Sequence, residues 1–360
     1  MKTVFATASC LLVVVFVLFS GSVNYERTLR IPAGYTTDSD FSTKTIVDMA
    51  GRVVTIPLKI VNFGYPYPAN TLDFFALGVG HNITVKSEGL TADDPLQMKL
   101  VQWGYPEIQM ATPAFRGNDI NREAVLKAKP QVVILDTSNI KGIRQLEALG
   151  IPVVGVKFPG PGDGFDDCVN YLVRLGDIFG GDAPQRAATY KAYVDKILTK
   201  LRSTAADIPL NQRPKVLLMF YWGGNYGGMS GKMITESITA AGGINVMEGQ
   251  PSHAINKEQI LVWNPDVILL QTENQNNFDK FKNDNALKTL KAVKSGKVYP
   301  FWISHGGRVE NILLAVYIAT ILHPDQFSET YRTDAVISFH QTMYGITLSK
   351  EAASNYFIER

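Results

Sequence analysis

Glu123-Ala-Val-Leu-Lys-Ala-Lys-Pro130-Gln-Val-Val-Ile-Leu135 and Glu258-Gln-Ile-Leu-Val-Trp-Asn-Pro265-Asp-Val-Ile-Leu-Leu270 follow one layout. Each has a glutamate, a stretch that reads as one short helix, a proline, and a run rich in branched aliphatics. Proline has no amide hydrogen and disfavours helix in the residue before it, so the helix is predicted to stop there and the chain to leave extended. The runs 132–135 and 267–270 are too short for a helix and apolar on successive residues. That is the pattern of a parallel strand covered by helices on both faces. Two copies predict two similar α/β lobes, each with its own sheet.

The rest of the chain fits this frame. With 360 residues there is length for two domains of ordinary size, and 46% hydrophobic with 19% charged residues is a globular composition. A formal net charge of +2 with no basic stripe excludes a nucleic-acid partner as the expectation. Cys10 and Cys168 are the two cysteines, too few for a disulfide framework or a cysteine zinc site, and Cys168 reads as a small buried residue. Residues 1–22 resemble an export signal, with Lys2, an apolar run over 11–19, and Ser20-Gly21-Ser22 for cleavage. The alternative is an uncleaved anchor; a cleaved signal leaves a soluble periplasmic protein. Residues 23–44 read as a polar, flexible leader.

From Thr45 a hairpin over 45–57 turns at Ala50-Gly51, followed by strands near 59–63, 79–85, 107–111 and 152–156 and helices from 70 or 71 and over 142–149. The first lobe spans 45–164. A connector over 165–208 holds a helix at 165–179 and a second, capped by Asp182 with Pro184 in its first turn, running to about Ala206. At 1.5 Å per residue it is ~35 Å long and reads as a stiff strut. The second lobe, 209–345, has a strand at 215–220, a glycine-rich loop at 223–231, helices at 233–241 and 284–290, a strand at 297–300, and helices at 308–322 and 334–344. Residues 346–360 are a C-terminal tail.

The loop Gly223-Gly-Asn-Tyr-Gly-Gly-Met-Ser-Gly231 fails both phosphate-binding spacings, because Tyr226 and Met233 stand where a Walker A glycine and Ser/Thr belong. It reads as a flexible, aromatic-bearing loop. The histidines are scattered without metal-ligand spacing, and no nucleophile motif or carboxylate pair points to catalysis. Aromatic and basic residues concentrate where strands should end: Tyr65, Tyr67, Phe115 and Arg116 in the first lobe, Tyr221, Trp222, Tyr226, Trp302, His305 and Arg308 in the second. Ligands of open parallel sheets bind outside the carboxyl ends of strands, so these residues are expected to line one cleft between lobes. Aromatics supply area and stacking, arginines neutralise an anion. The alternative for several of them is interlobe packing.

With these motifs in place, residues 45–345 resemble the periplasmic binding proteins for ferric siderophores, haem and cobalamin that feed ABC importers. The resemblance rests on the Asp48-Met-Ala-Gly51-Arg hairpin, both glutamate-to-proline segments, the long mid-chain helix, Glu310-Asn311-Ile-Leu-Leu and Leu322-His-Pro-Asp-Gln-Phe327. It implies two Rossmann-like lobes with parallel-rich sheets joined by one rigid helix, the ligand between them, and no intrinsic cofactor. It further implies a monomer that docks on an inner-membrane permease through one glutamate per lobe, the positions of Glu123 and Glu258. Their plainer reading is solvated first-turn glutamates favoured by the helix dipole. Arg116, Arg308 and the tyrosines suit an anionic, aromatic iron(III)-siderophore chelate as the ligand. Haem, held by a Tyr or His axial ligand, comes next, then cobalamin or a nickel chelate. The rivals are an exported α/β enzyme using the same cleft and a membrane-tethered sensor.

Overall fold

A computed structural model describes residues 42–93, 95–160, 162–272, 274–301 and 309–357; the expected export signal and most of the leader lie outside these. An antiparallel hairpin comes first, β1 (Thr43–Val47) and β2 (Val53–Pro57). The first lobe then runs β3 (Phe63–Gly64), α1 (Thr71–Ala76), β4 (Ile83–Ser87), α2 (Pro95–Gln102), β5 (Thr112–Arg116), β6 (Asp119–Ile120), α3 (Arg122–Ala128), β7 (Val132–Asp136), α4 (Ile140–Glu147) and β8 (Val153–Val156). Helices α5 (Phe165–Phe179) and α6 (Ala183–Ala206) connect it to the second. That lobe comprises β9 (Lys215–Trp222), β10 (Asn225–Gly228), α7 (Lys232–Ala240), β11 (Ile244–Asn245), β12 (His253–Ile255), α8 (Lys257–Trp263), β13 (Val267–Thr272), α9 (Gln275–Asn283), α10 (Lys291–Lys294) and β14 (Val298–Pro300). Helices α11 (Asn311–Leu322), α12 (Glu329–Tyr344) and α13 (Lys350–Ser354) follow.

The strands form two separate six-stranded sheets, as the duplicated segment predicts. The first has the order β6-β5-β4-β3-β7-β8, parallel except at β6. The second has the order β12-β10-β9-β13-β14, with β11 beside the start of β9; β9, β11, β13 and β14 are parallel. In each sheet the repeated strand, β7 or β13, lies beside the first strand of its lobe, β3 or β9.

The duplication extends to conformational detail. Asn121 caps α3 by accepting the Ala124 amide at 3.1 Å, and Asn256 caps α8 by accepting the Gln259 amide at 2.8 Å. Each helix stops on a left-handed residue, Lys129 (φ 48°) and Asn264 (φ 41°), whose N–H still reaches the carbonyl of Val125 or Ile260. These are the two non-glycine residues of positive φ among the described residues. An extended residue was expected before each proline; the left-handed cap keeps one more helical hydrogen bond and lets the chain reverse at once. Beyond the proline, the Gln131 side chain accepts the Val61 amide at 2.8 Å and Asp266 accepts the Lys215 amide at 2.9 Å, tying each repeat to its neighbouring strand.

Alternation along the strands sorts the core. Val132 and Ile134 of β7, with Val267 and Leu269 of β13, belong to one cluster that also takes in α5, α6, α11 and α12. Val133 and Leu135 face a smaller core with Val125 of α3 and Ile143 of α4, and Ile268 and Leu270 face another with Ile260 of α8 and Phe281 of α9. One continuous core therefore runs through both lobes and the connector. At 24 residues α6 is about 36 Å long. Asp182 does not cap it with its side chain. The notable cap belongs to α5: its N-cap Gly164 has no side chain to offer, and Glu236 of α7 accepts the Phe165 amide at 2.7 Å from the other lobe, while Lys232 pairs with Asp167 at 2.7 Å.

Several elements differ from the sequence reading. The glycine-rich stretch is not a loop but a hairpin: Gly223 (φ 55°) and Gly224 (φ 84°) make the two-residue turn between β9 and β10. A Cβ at Gly227 would lie 1.9 Å from the Phe220 ring, so a side chain there must displace that ring. The strand expected at 107–111 is a 3-10 turn, Pro106–Gln109, because Pro106 starts a helical turn; the strand comes after it. The strand expected from 79 begins only at Ile83, after the 3-10 turn Gly80–Asn82. The segment after Tyr344 is packed, with Ile346, Leu348 and Phe357 buried.

Candidate functional site

A helix that packs back on a parallel sheet runs against its strands, so loops and helix N-termini collect at the carboxyl edge. In the first lobe the chain leaves β3 toward β4 on one side and reaches β7 on the other, so the strand order reverses between β3 and β7. In the second lobe it reverses between β9 and β13. The crevice outside such a reversal is where open α/β sheets hold ligands.

At the first reversal Tyr67 follows β3, and its hydroxyl accepts the amide of Asp136, the last residue of β7, at 3.4 Å. Phe158, just past β8, stands edge-on to Tyr67 with ring centroids 5.5 Å apart. Tyr65 lies beneath, 2% exposed, packed on Phe74 and Phe158. Oδ1 of Asp136 accepts the amide and hydroxyl of Ser138. At the second reversal Phe220 and Trp222 end β9 on the sheet face that carries Leu218, and Gln271 stands opposite Phe220 in register near the end of β13. The carboxyl-edge loops of the lobes meet where the Val309 amide donates to Oδ1 of buried Asp73 at 3.3 Å. Burial, with the Asp73 charge beside it, pushes the Tyr171 hydroxyl pKa upward.

The structure thus brings Tyr65 and Tyr67 together at one switch point and places Trp222 at the other. Tyr221 and Tyr226 stack on each other at 4.9 Å but on the opposite face of the second sheet, against Phe281 and Lys257. Arg116 is exposed at the end of β5, 3.9 Å from Glu88. Phe115, expected at the cleft, is core instead: it is 1% exposed among Val85, Leu135 and Ile143, because its place in β5 turns it toward α3 and α4. Trp302, His305 and Arg308 lie outside the described residues. Phe158, Asp136 and Gln271 escaped the sequence reading; the available clue was their place, just past or at the end of a buried run.

Glu123 and Glu258 are both exposed on the first turns of their helices, and neither makes an ion pair or a side-chain hydrogen bond among the described residues. Lys257, next to Glu258, is engaged by Asp284 at 2.5 Å, and that bond holds the Asp284 carboxyl below its usual range. Among the described residues no group of three or more His, Cys, Asp or Glu forms a metal cluster, and no helix is long and apolar enough to cross a membrane.

The family described as periplasmic binding protein matches residues 65–301. The molybdate-binding protein MolA of Haemophilus influenzae is 24% identical over 342 residues, covering 88% of this chain and 95% of MolA. Its molybdate-bound structure superposes with a TM-score of 0.67 over 85% of this chain and 99% of that chain, at 21% identity. A periplasmic solute-binding protein of Veillonella parvula gives a TM-score of 0.70 at 22% identity over 87% of this chain and 96% of that one. Helicobacter pylori CeuE in a nickel–histidine complex gives 0.63 at 16% identity over 88% of this chain and 100% of its own.

Proposed function

The chain belongs to the periplasmic binding protein family, and from that premise we propose that it captures a metal chelate of the iron(III)-siderophore class between its lobes and hands it unchanged to the permease of an ABC importer. The observation that carries this reading is the pairing of aromatic and polar side chains at both chain reversals: Tyr67 and Phe158 with Asp136 in one lobe, Phe220 and Trp222 with Gln271 in the other. Aromatic walls offer area to a chelate's organic shell, and a few polar groups fix its orientation. Residues 1–22 export the chain as a monomer to the periplasm. Glu123 and Glu258 then meet cationic side chains of the permease, one from each lobe, their carboxylates making no ion pair among the described residues and therefore available.

A second reading is molybdate, supported by the MolA likeness over 88% of the chain. Native mass spectrometry and absorption spectroscopy of protein purified from its own host separate the two. A co-purifying iron chelate with a visible charge-transfer band supports the first reading, and a molybdate adduct without visible absorption supports the second. A bound organic molecule that is chemically altered on incubation with the purified protein would replace both with an enzyme.

A further inference from the structure

Gln271 is 6% exposed, and its side-chain amide makes no hydrogen bond among the described residues. The amide is not among the fully buried side-chain groups that lack a partner, so it keeps some solvent contact. Gln271 stands at the carboxyl end of β13, at the reversal between β9 and β13, on the face that carries Val267 and Leu269, and opposite Phe220 in register. It also occupies the sixth position after Pro265, as Asp136 does after Pro130. The duplicated unit thus ends in each lobe on a polar residue at the chain reversal.

We infer that the Gln271 amide is a ligand-contacting, specificity-determining group of the second lobe, with Asp136 as its counterpart across the site. This rests on the binding reading above and narrows its ligand. An amide offers one carbonyl acceptor and two N–H donors, whereas an ionised aspartate accepts only. Oδ1 of Asp136 is taken by Ser138, and Oδ2 accepts nothing among the described residues. A ligand that satisfies both residues presents N–H or O–H donors as well as carbonyl acceptors around its metal. A bare oxometalate presents acceptors and negative charge alone, which Asp136 repels.

The test compares wild type with Gln271→Met by calorimetric titration against ferrioxamine B (a ferric trihydroxamate), ferric tris(2,3-dihydroxybenzoate) and sodium molybdate, beside the thermal midpoint without ligand. Met keeps the volume and removes the amide, so the unliganded midpoint should stay level or rise, and affinity for the chelate that wild type binds should fall about tenfold. A lowered midpoint with unchanged affinity overturns the inference and makes Gln271 structural. If wild type binds molybdate and neither chelate, the chelate reading falls and with it the narrowed ligand class, while the effect of Gln271→Met on molybdate affinity still decides the contact. If none of the three binds, both ligand readings fall and the role of Gln271 that rests on them falls too.

Discussion

Oδ2 of Asp48 accepts the backbone amide of Gly155 at 2.9 Å, joining the N-terminal hairpin to β8 across 107 positions of chain. The same carboxylate is 1% exposed, accepts the amides of Ala50 and Arg52, and pairs with the Arg52 guanidinium at 2.6 Å, while Arg52 reaches on to Val153 and Glu147. Burial alone would raise the Asp48 carboxyl; the amides of Arg52 and Gly155 and the Arg52 guanidinium outweigh it and hold it below the usual range. Asp48→Asn should cost about 2–4 kcal/mol in urea unfolding, since it removes the buried one of the two carboxylates that pair with the Arg52 guanidinium and the charge that the amides of Ala50, Arg52 and Gly155 are turned toward. Because the folded carboxyl titrates lower than the unfolded one, its stabilisation is full above about pH 4 and lost as pH falls below that. Asp48→Asn should therefore flatten the acid limb of the stability curve. Gly155→Ala, whose Cβ would lie 2.9 Å from Oδ2, should loosen the same joint.

His340 gives a second pH dependence in a different window. It lies fully buried on α12, its Nδ1–H donating to Val336 at 2.8 Å and its Nε2 3.9 Å from a Glu310 oxygen. Burial pushes it down to about 4, against a smaller upward pull from Glu310. An unfolded histidine titrates near 6.5, so the unfolded chain binds more protons between those values. Stability should fall by up to about 3 kcal/mol as pH drops from about 6.5 to about 4. In His340→Gln the slope of denaturation midpoint against pH over that interval should disappear.

The two left-handed caps should respond differently to glycine. Lys129 makes no side-chain hydrogen bond among the described residues, so Lys129→Gly removes the cost of positive φ and should stabilise by about 0.5–1 kcal/mol. Oδ1 of Asn264 accepts the Lys291 amide at 3.1 Å, so Asn264→Gly loses about as much as it gains. Thermal midpoints of the two variants check the contrast.

Charge reversal at Glu123 and Glu258 should leave fold and ligand affinity intact, since both are exposed and make no ion pair among the described residues. Each single Glu→Lys change should weaken transport in membrane vesicles several-fold, and the double change should abolish it. Reduced ligand affinity in the double variant would show that the glutamates act at the cleft and not at docking.

What the sequence made legible was local. The glutamate-to-proline unit was readable because proline and a short aliphatic run speak for themselves within thirteen residues. The order of strands was not, since it depends on pairings such as Val132 with Phe63, far apart in the chain. Helix α9 escaped because its polar sequence buries only Phe278 and Phe281. Phe115 was misjudged because at a strand end a shift of one residue turns a side chain to the other face. The hairpin at Gly223–Gly224 was hidden by glycines that look like a loop, yet the turn itself uses their positive φ and Gly227 lies against the Phe220 ring.

Helix α11 shows what the shared core means for the life of the chain. Its twelve residues, Asn-Ile-Leu-Leu-Ala-Val-Tyr-Ile-Ala-Thr-Ile-Leu, carry no charge, and it packs on α6, α7 and α12 at once. Part of it is covered by α6 of the connector, and the first lobe in turn leans on α12 through α1, so neither half expressed by itself keeps all of its apolar surface covered. Maturation must then be nearly all-or-none: the first lobe waits, unfinished, until the last fifty residues have emerged.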